Sequence, residues 1–384
     1  MLKVLVIAGG FPPAKTYGGP SVSIDNLCEL LSDSMDLYVV ANSHELHSKE
    51  LLDGIQYGWN VRKNCKAYYL KYNMCAFFRV EKIVEEIYPD IIYINSLFSA
   101  YLVLPALVAA KKHGISALIA PRGQLAKSAL KKKWKKIPYL CVFKNLVRKI
   151  GHAYQATSDD EILQIKEHLE TAGITIYKMP NIPTVFRNIP SHPPKAAGRL
   201  RVIYLARVHW IKNLDFALMS LRGCHEQIKL DIYGPLEDKS YWNTCKEIIT
   251  ELPENVEVHY KGGLDHSEIA DVLSKYDVYY LPTQTENFGH SIVEAMMAGC
   301  IPLISDRTPW KKLQDAECGW ALPLDDTAPF TRILDTLAQE TEADFKARRK
   351  KLEEYIDAKI DFPSLEAQYS AAFHELISKN NNLV

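Results

Sequence analysis

The sequence predicts an α/β protein made of two Rossmann-like halves in tandem, and three observations carry this. Short apolar strands alternate with amphipathic helices, the pattern of βαβ units around a parallel sheet. The alternation breaks between Met179 and Gly198, in MPNIPTVFRNIPSHPPKAAG, where five prolines occur without a periodic apolar face, and then restarts. The chain has 384 residues, more than the roughly 250–300 at which a single hydrophobic core stops growing.

In the first half, strands are expected at Lys3–Ala8, Leu37–Val40, Ala67–Leu70, Ile91–Ile94, Ser116–Ala120 and Ala153–Thr157, with helices over Ser21–Leu31, Phe77–Tyr88 and Ala100–His113. After the break, strands are expected at Arg201–Ala206, Lys229–Tyr233, Val256–Tyr260, Val278–Leu281 and Pro302–Ser305. A last helix over Ser364–Ile377 has apolar residues at 365, 369, 372, 373, 376 and 377, one stripe that must pack on something. The domains are therefore 1–180 and 199–362, joined by a linker at 181–198 and followed by the helix at 363–384.

Composition narrows the class. Hydrophobic content of 47% and charged content of 24% are ordinary for a soluble globular protein. The start, MLKVLVIAGG, is too short and too lightly charged for a secretory signal, and no apolar run approaches the ~20 residues that span a bilayer. The eight cysteines, at 28, 65, 75, 141, 224, 245, 300 and 318, include no C-x-x-C pair. That spacing argues against a zinc site or a disulfide framework and for a reducing cytoplasm.

The balanced charge, 46 Lys and Arg against 46 Asp and Glu, conceals an asymmetry. Between Ile91 and Ser158 there are twelve Lys and Arg and no Asp or Glu, so one face of the first half is basic. Within it KSALKKKWKKIPY, residues 127–139, sets Lys131, Lys132, Lys133, Lys135 and Lys136 around Trp134. Basic residues interleaved with aromatic ones suit an anionic membrane surface, at ~1 kcal/mol per lysine near the interface. A merely solvated lysine face is the alternative. No RNA- or DNA-binding module accompanies the run, so nucleic acid is not expected as a partner.

Chemistry concentrates at the strand ends. Glu286 and Glu294 stand eight residues apart in TENFGHSIVEAMMAG, across a strand-to-helix corner closed by Pro282 and stopped at Gly299. Ligands of open parallel sheets collect in the crevice outside such corners, and helix N-termini there offer N–H groups to anions. Each carboxylate has a second reading: Ser291 with Glu294 fits a helix capping box, and Glu286 fits a solvated loop. The loop after the preceding half's first strand, FPPAKTYGGPS, puts Gly18 and Gly19 before a helix, open to a phosphate or simply turning. It is neither G-x-G-x-x-G nor a Walker A loop. The matching loop of the second half, LARVHWIKN, carries Arg207 and Lys212, cations placed for a diphosphate. Cations for phosphate beside carboxylates for hydroxyls suit a sugar nucleotide.

GGP at 18–20, ARVHWIKN at 206–213, YGP at 233–235 and ENFGHSIVEAMMAGCIPLISD at 286–306 together resemble the retaining GT-B glycosyltransferases of family 4, also called group 1. The resemblance implies two Rossmann-like domains facing across a deep cleft, an acceptor-binding first and a nucleotide-sugar-binding second, with the last helix returning to the first. It implies that Arg207 and Lys212 stabilise the leaving diphosphate and that Glu286 binds the donor sugar. Gly18, Gly19, Phe288, Gly289 and His290 would hold sugar or phosphate, Glu294 the ribose, and Tyr260 and Lys261 the base. The donor would be a UDP- or GDP-sugar. With no D-x-D motif at a strand end, no metal or other cofactor is expected.

One departure stands out. Where many members carry a histidine, this chain reads Ala120-Pro121-Arg122-Gly123. PRG resembles a bacterial subset acting in surface-polysaccharide assembly, such as capsule or lipopolysaccharide. Arg122 is then a candidate contact for acceptor or donor phosphate, and with Asn95 for the acceptor, a glycan or polyprenyl-diphosphate-linked saccharide; a surface arginine after a proline turn is the other reading. The enzyme would work in the cytoplasm or on the inner face of the plasma membrane. An epimerase or phosphorylase on the same scaffold, or a non-catalytic sugar-nucleotide or glycan-binding protein, are the rival readings. No feature of the sequence sets an oligomeric state.

Overall fold

A computed structural model describes residues 1–46, 48–126, 130, 133–184, 186 and 188–381, with the backbone alone at 133–135, 380 and 381. The chain forms two compact units, Met1–Thr184 with Phe362–Val384, and Val185–Asp361.

The first unit runs β1 (Leu2–Ile7), α1 (Gly19–Leu31), β2 (Met35–Asn42), β3 (Gly58–Val61), β4 (Lys66–Leu70), α2 (Met74–Ile87), β5 (Ile91–Ile94), α3 (Ala100–His113), β6 (Ser116–Ile119), α4 (Lys133–Val147), β7 (His152–Ala156), α5 (Asp159–His168) and β8 (Ile176–Lys178). Its sheet has the order β3-β4-β2-β1-β5-β6-β7-β8, and every pairing is parallel except β3 with β4. The order reverses beside β1, so the loops leaving β1 and β5 diverge there and open a crevice. Strands β5 and β6, IIYI and SALI, are buried at every residue, because helices cover both faces of a parallel sheet.

The second unit runs β9 (Arg199–Leu205), α6 (Leu214–Leu221), β10 (Gln227–Tyr233), α7 (Lys239–Thr250), β11 (Val256–Gly262), α8 (Ile269–Leu273), β12 (Val278–Leu281), α9 (His290–Met297), β13 (Ile301–Ser305), β14 (Trp320–Leu322), α10 (Ala328–Gln339) and α11 (Glu342–Asp357). The wholly parallel sheet has the order β11-β10-β9-β12-β13-β14, which reverses between β9 and β12. The closing helix, α12 (Phe362–Asn381), belongs to the first unit.

Its stripe finds its partner there. Tyr369, Ala372, Phe373 and Leu376 join Ile24 and Leu27 of α1 and Val4 and Val6 of β1 in one cluster. The opposite face of the sheet packs Val80 of α2, Leu107 of α3 and Phe143 of α4. Phe373 is fully buried, with its ring 5.8 Å from that of Tyr93. Burial of such a side chain contributes about 1.5–3 kcal/mol.

The expected strands all occur, and the additional elements have simple reasons. Strands β3, β8 and β14 are three or four residues long, too short to show a period. Helix α4 contains Pro138 and opens on lysines, which hides its apolar face. Among the described residues no helix is long and apolar enough to cross a membrane.

Candidate functional site

In the second unit the two strands at the reversal bring their outgoing loops together. After β9, Trp210–Lys212 form a turn of 3-10 helix, with the His209 ring accepting from the Ile211 amide at 3.3 Å and Asn213 in the left-handed region at φ 60°. After β12, the Gln284 amide donates to the Ile211 carbonyl at 2.8 Å and the Thr283 hydroxyl to the same oxygen at 3.1 Å. The Glu286 amide is held by the Arg307 carbonyl at 3.1 Å. These bonds place Lys212 Nζ on Glu286 Oε1 as an ion pair. With side chains only 15% and 13% exposed, the pair is shielded from solvent more than a surface salt bridge is.

Arg207 leaves the end of β9 and pairs with Glu237, from the loop after β10, and both are well exposed. The two loops touch closely. Gly234 has φ 139°, and a Cβ there would stand 2.0 Å from the Ala206 carbonyl oxygen. Only glycine fits, since both the backbone angle and the space exclude a side chain.

Helix α9 starts at the corner singled out in the sequence. Gly289 is its N-cap at φ 77° and ψ 62°. The Trp310 indole donates to the Phe288 carbonyl at 2.6 Å, fixing the approach to the helix, and the His290 ring lies 4.8 Å from that of Phe288. Helix N-termini carry amides without intrahelical acceptors, which suit phosphate or sugar oxygen. The capping-box reading of Ser291 and Glu294 is corrected here. Ser291 is the second residue of the helix, not its cap, and its hydroxyl bonds Tyr279 OH at 2.7 Å. Burial pushes that tyrosine's hydroxyl well above its ordinary pKa, so it stays neutral. Glu294 is buried, with Oε1 4.0 Å from His266 Nδ1.

Tyr260 and Lys261 lie on β11. The Tyr260 hydroxyl donates to the Gly234 carbonyl at 2.9 Å, and its half-exposed ring sits 5.1 Å from that of Trp242. Lys261 Nζ is 4.0 Å from Oδ1 of the buried Asp231. Thus Arg207, Lys212, Glu286, Phe288, Gly289, His290, Tyr260 and Lys261 belong to loops, strand ends or a helix start at the carboxyl edge of this sheet, and Glu294 to the second turn of α9.

In the first unit, Gly18 caps α1 at φ 66° and Gly19 begins it, with no atom within 4 Å of where a Gly18 Cβ would be. Glu45 holds the preceding loop by accepting from the Lys15 and Thr16 amides at 2.7 and 3.0 Å. Arg122 is not a surface residue, which corrects that reading. It is 8% exposed, in the left-handed region at φ 54°, and its Nε donates to Asn95 Oδ1 at 2.7 Å. Lys131 and Lys132 lie outside the described residues. Lys133, Trp134 and Lys135 open α4, and Lys136 Nζ is folded over the Phe98 ring, 4.3 Å from its centre. Sequence reasoning passed over Glu237 and Trp310, because neither carries a local pattern and each matters only through a partner over twenty residues away in the chain.

Residues 185–356 match the family model described as "Glycosyl transferases group 1". Among curated proteins, the chain is 27% identical over 144 residues to the UDP-N-acetylglucosamine–peptide N-acetylglucosaminyltransferase GtfA subunit of Streptococcus pneumoniae, covering 35% of this chain and 27% of that protein. It is 28% identical over 198 residues to the MMP alpha-(1->4)-mannosyltransferase of Mycolicibacterium hassiacum, covering 49% and 46%. The matched stretches therefore span less than half the length of either relative. Among solved structures, the Anabaena protein HepE in complex with UDP and glucose aligns with a TM-score of 0.71 at 14% identity, over 98% of this chain and 100% of that one. The two-domain α/β architecture with parallel sheets is the GT-B fold.

Proposed function

We propose that this chain, whose second unit matches the group 1 glycosyltransferase model, is a glycosyltransferase that moves a hexose-type sugar from a UDP- or GDP-sugar to a glycan or polyprenyl-diphosphate-linked saccharide, with retention. The observation that carries this is the Lys212–Glu286 pair at the reversal of the second sheet, with Arg207 on the same loop after β9 as Lys212. Departure of a nucleoside diphosphate builds negative charge on the leaving oxygen, and fixed cations aimed there lower the barrier. Arg207 and Lys212 receive that charge, so the transfer needs no metal ion. The entering diphosphate takes Lys212 from Glu286, which frees the carboxylate to accept hydrogen bonds from the sugar hydroxyls. Glu294 holds the ribose, Tyr260 and Lys261 lie toward the base, and the α9 start meets sugar or phosphate. Retention follows from a same-face attack assisted by the leaving phosphate.

The names of the curated relatives, both sugar transferases, and the UDP and glucose in the HepE structure support the donor class. The basic stretch between Ile91 and Ser158 supports an acceptor presented at an anionic membrane surface, in surface-polysaccharide assembly on the cytoplasmic side.

Screening UDP- and GDP-sugars for a rise in Tm identifies the donor, since a bound ligand stabilises by mass action. With that donor, Lys212→Ala is expected to lower kcat by ~10²–10³. Glu286→Ala should mainly lower turnover and Glu294→Ala mainly weaken donor binding. Equal losses in both glutamate variants, tracking a lower Tm, would remove the assigned roles. Epimerised nucleotide sugar formed without acceptor would replace the transferase by an epimerase.

A further inference from the structure

The first unit buries a cation whose donors are incompletely used. Arg122 follows β6, and Asn95 follows the adjacent β5, beside the reversal of the first sheet. Arg122 is 8% exposed and Asn95 2%. The guanidinium spends Nε on Asn95 Oδ1 at 2.7 Å and Nη2 on the Tyr93 hydroxyl. Its Nη1 and the Asn95 Nδ2 are both buried without a hydrogen-bond partner among the described residues. The carboxylate that acts on Arg122 through space is Glu161. The nearby Glu161 spends its oxygens on the Gly123 amide at 2.6 Å and on the Thr157 amide and hydroxyl at 2.8 and 2.7 Å.

Each of these features opposes folding. Buried donors without acceptors are costly, a guanidinium taken out of water is costly even with Glu161 acting on it through space, and a non-glycine residue at φ 54° adds strain. A directed set of bonds nonetheless holds the arrangement. Tyr93 OH donates to Gln155 Oε1 at 2.5 Å, Gln155 Nε2 donates to Tyr369 OH at 2.7 Å and to the Met179 carbonyl at 3.0 Å, and Tyr369 OH donates to the Pro180 carbonyl at 2.9 Å. Each hydroxyl accepts one bond and donates the next, so the relay polarises in one sense and keeps the arginine aimed. Three unfavourable features on one loop residue, supported through α12, mark a receptor rather than a packing accident.

We propose that Arg122 Nη1 and Asn95 Nδ2 form a receptor for a phosphoryl oxyanion, with Tyr93, Gln155 and Tyr369 as positioning residues. The inference rests on the transferase reading only for the source of the phosphate, which would be the diphosphate of a lipid-linked acceptor. The donor's own diphosphate is the other source of the same chemistry.

Asn95→Asp tests it in the full-length protein. The substitution keeps the shape, removes the Nδ2 donors and sets a carboxylate directly against the guanidinium. Inorganic pyrophosphate is titrated calorimetrically into wild type and variant, each saturated with UDP, and UDP is titrated separately. The expected result is pyrophosphate affinity at least tenfold weaker in Asn95→Asp, with UDP affinity unchanged and Tm equal or higher. Weaker UDP binding instead would assign the receptor to the donor's phosphate. Unchanged binding of both would overturn the proposal and leave a buried water as all that the two donors hold. Tyr369→Phe should reproduce a smaller loss of pyrophosphate affinity, and Arg122→Gln a full one. The titration needs no turnover, so a protein that binds pyrophosphate in this way but transfers no sugar would refute the transferase reading alone.

Discussion

At the residue scale, both cations that the proposed function assigns to a diphosphate are paired to glutamates: Lys212 to Glu286 and Arg207 to Glu237. The pairs differ in what they do. Lys212 and Glu286 are largely shielded, so each orders the other, and a ligand must exchange a whole contact. Arg207 and Glu237 are exposed, where a salt bridge is worth about 0–1 kcal/mol. Under the proposed function, Glu237 is the counter-ion that phosphate displaces from Arg207. Glu237→Gln is therefore expected to tighten UDP binding about two- to fivefold, measured by titration at low salt, with the gain lost at high ionic strength as the charges are screened. Weaker UDP binding in that variant would mean that Glu237 orients Arg207 instead of competing with the ligand. Of the residues in this neighbourhood, Glu286, Arg207 and Lys212 were legible in the sequence because they stand at strand ends next to glycine or a helix start. Glu237 was not, because an acid in a polar loop has no signature until its partner is known.

At the scale of elements, the β9–β10 seam decides how the site is built. Gly234 lets the loop after β10 lie against Ala206, with its amide donating to the Gly262 carbonyl at 2.8 Å and its carbonyl accepting from Tyr260 OH. Three strand ends are thereby tied at one glycine. Gly234→Ala forces a Cβ onto a backbone oxygen that has no rotamer to escape through, and it is expected to cost about 2–4 kcal/mol. Chemical denaturation would register that loss, and a separate UDP titration should show weakened binding, because the seam carries Arg207. A variant as stable as wild type would show that the loop has another conformation available. The helix start at Gly289 is a comparable case with a different outcome. The corner was legible from Pro282, Gly289 and the apolar spacing after it, yet the cap was misassigned by two residues. Ser291 turned inward to Tyr279, and that choice depends on β12 lying underneath, which no local pattern reports.

At the scale of the whole molecule, α12 closes the first unit with residues from the far end of the chain. It covers the sheet face opposite α2, α3 and α4, and through Tyr369 it also ends the bond relay from Arg122. Removing its central side chain, Phe373→Ala, should cost about 3–5 kcal/mol, seen as a lower unfolding midpoint of the first unit. UDP binding, which the proposed function assigns to the second unit, should change little, since that unit has its own core. Loss of both together would show that the two units unfold as one. The helix and its stripe were legible in advance from the spacing of 365, 369, 372, 373 and 376. The surface that the stripe covers was expected only by resemblance.

The sequence by itself determined the periodicities and hence the strands, the helices and the break between two α/β halves, because these depend on side-chain spacing over a few residues. It also determined which strand ends carry charge. Only the tertiary structure decided which charges meet: Lys212 with Glu286 across 74 residues, Arg207 with Glu237, and Arg122 with Asn95, with two donors left over. Pairing depends on strand order and on loops brought together at the reversal of a sheet. Those are properties of the folded chain, and local spacing does not encode them.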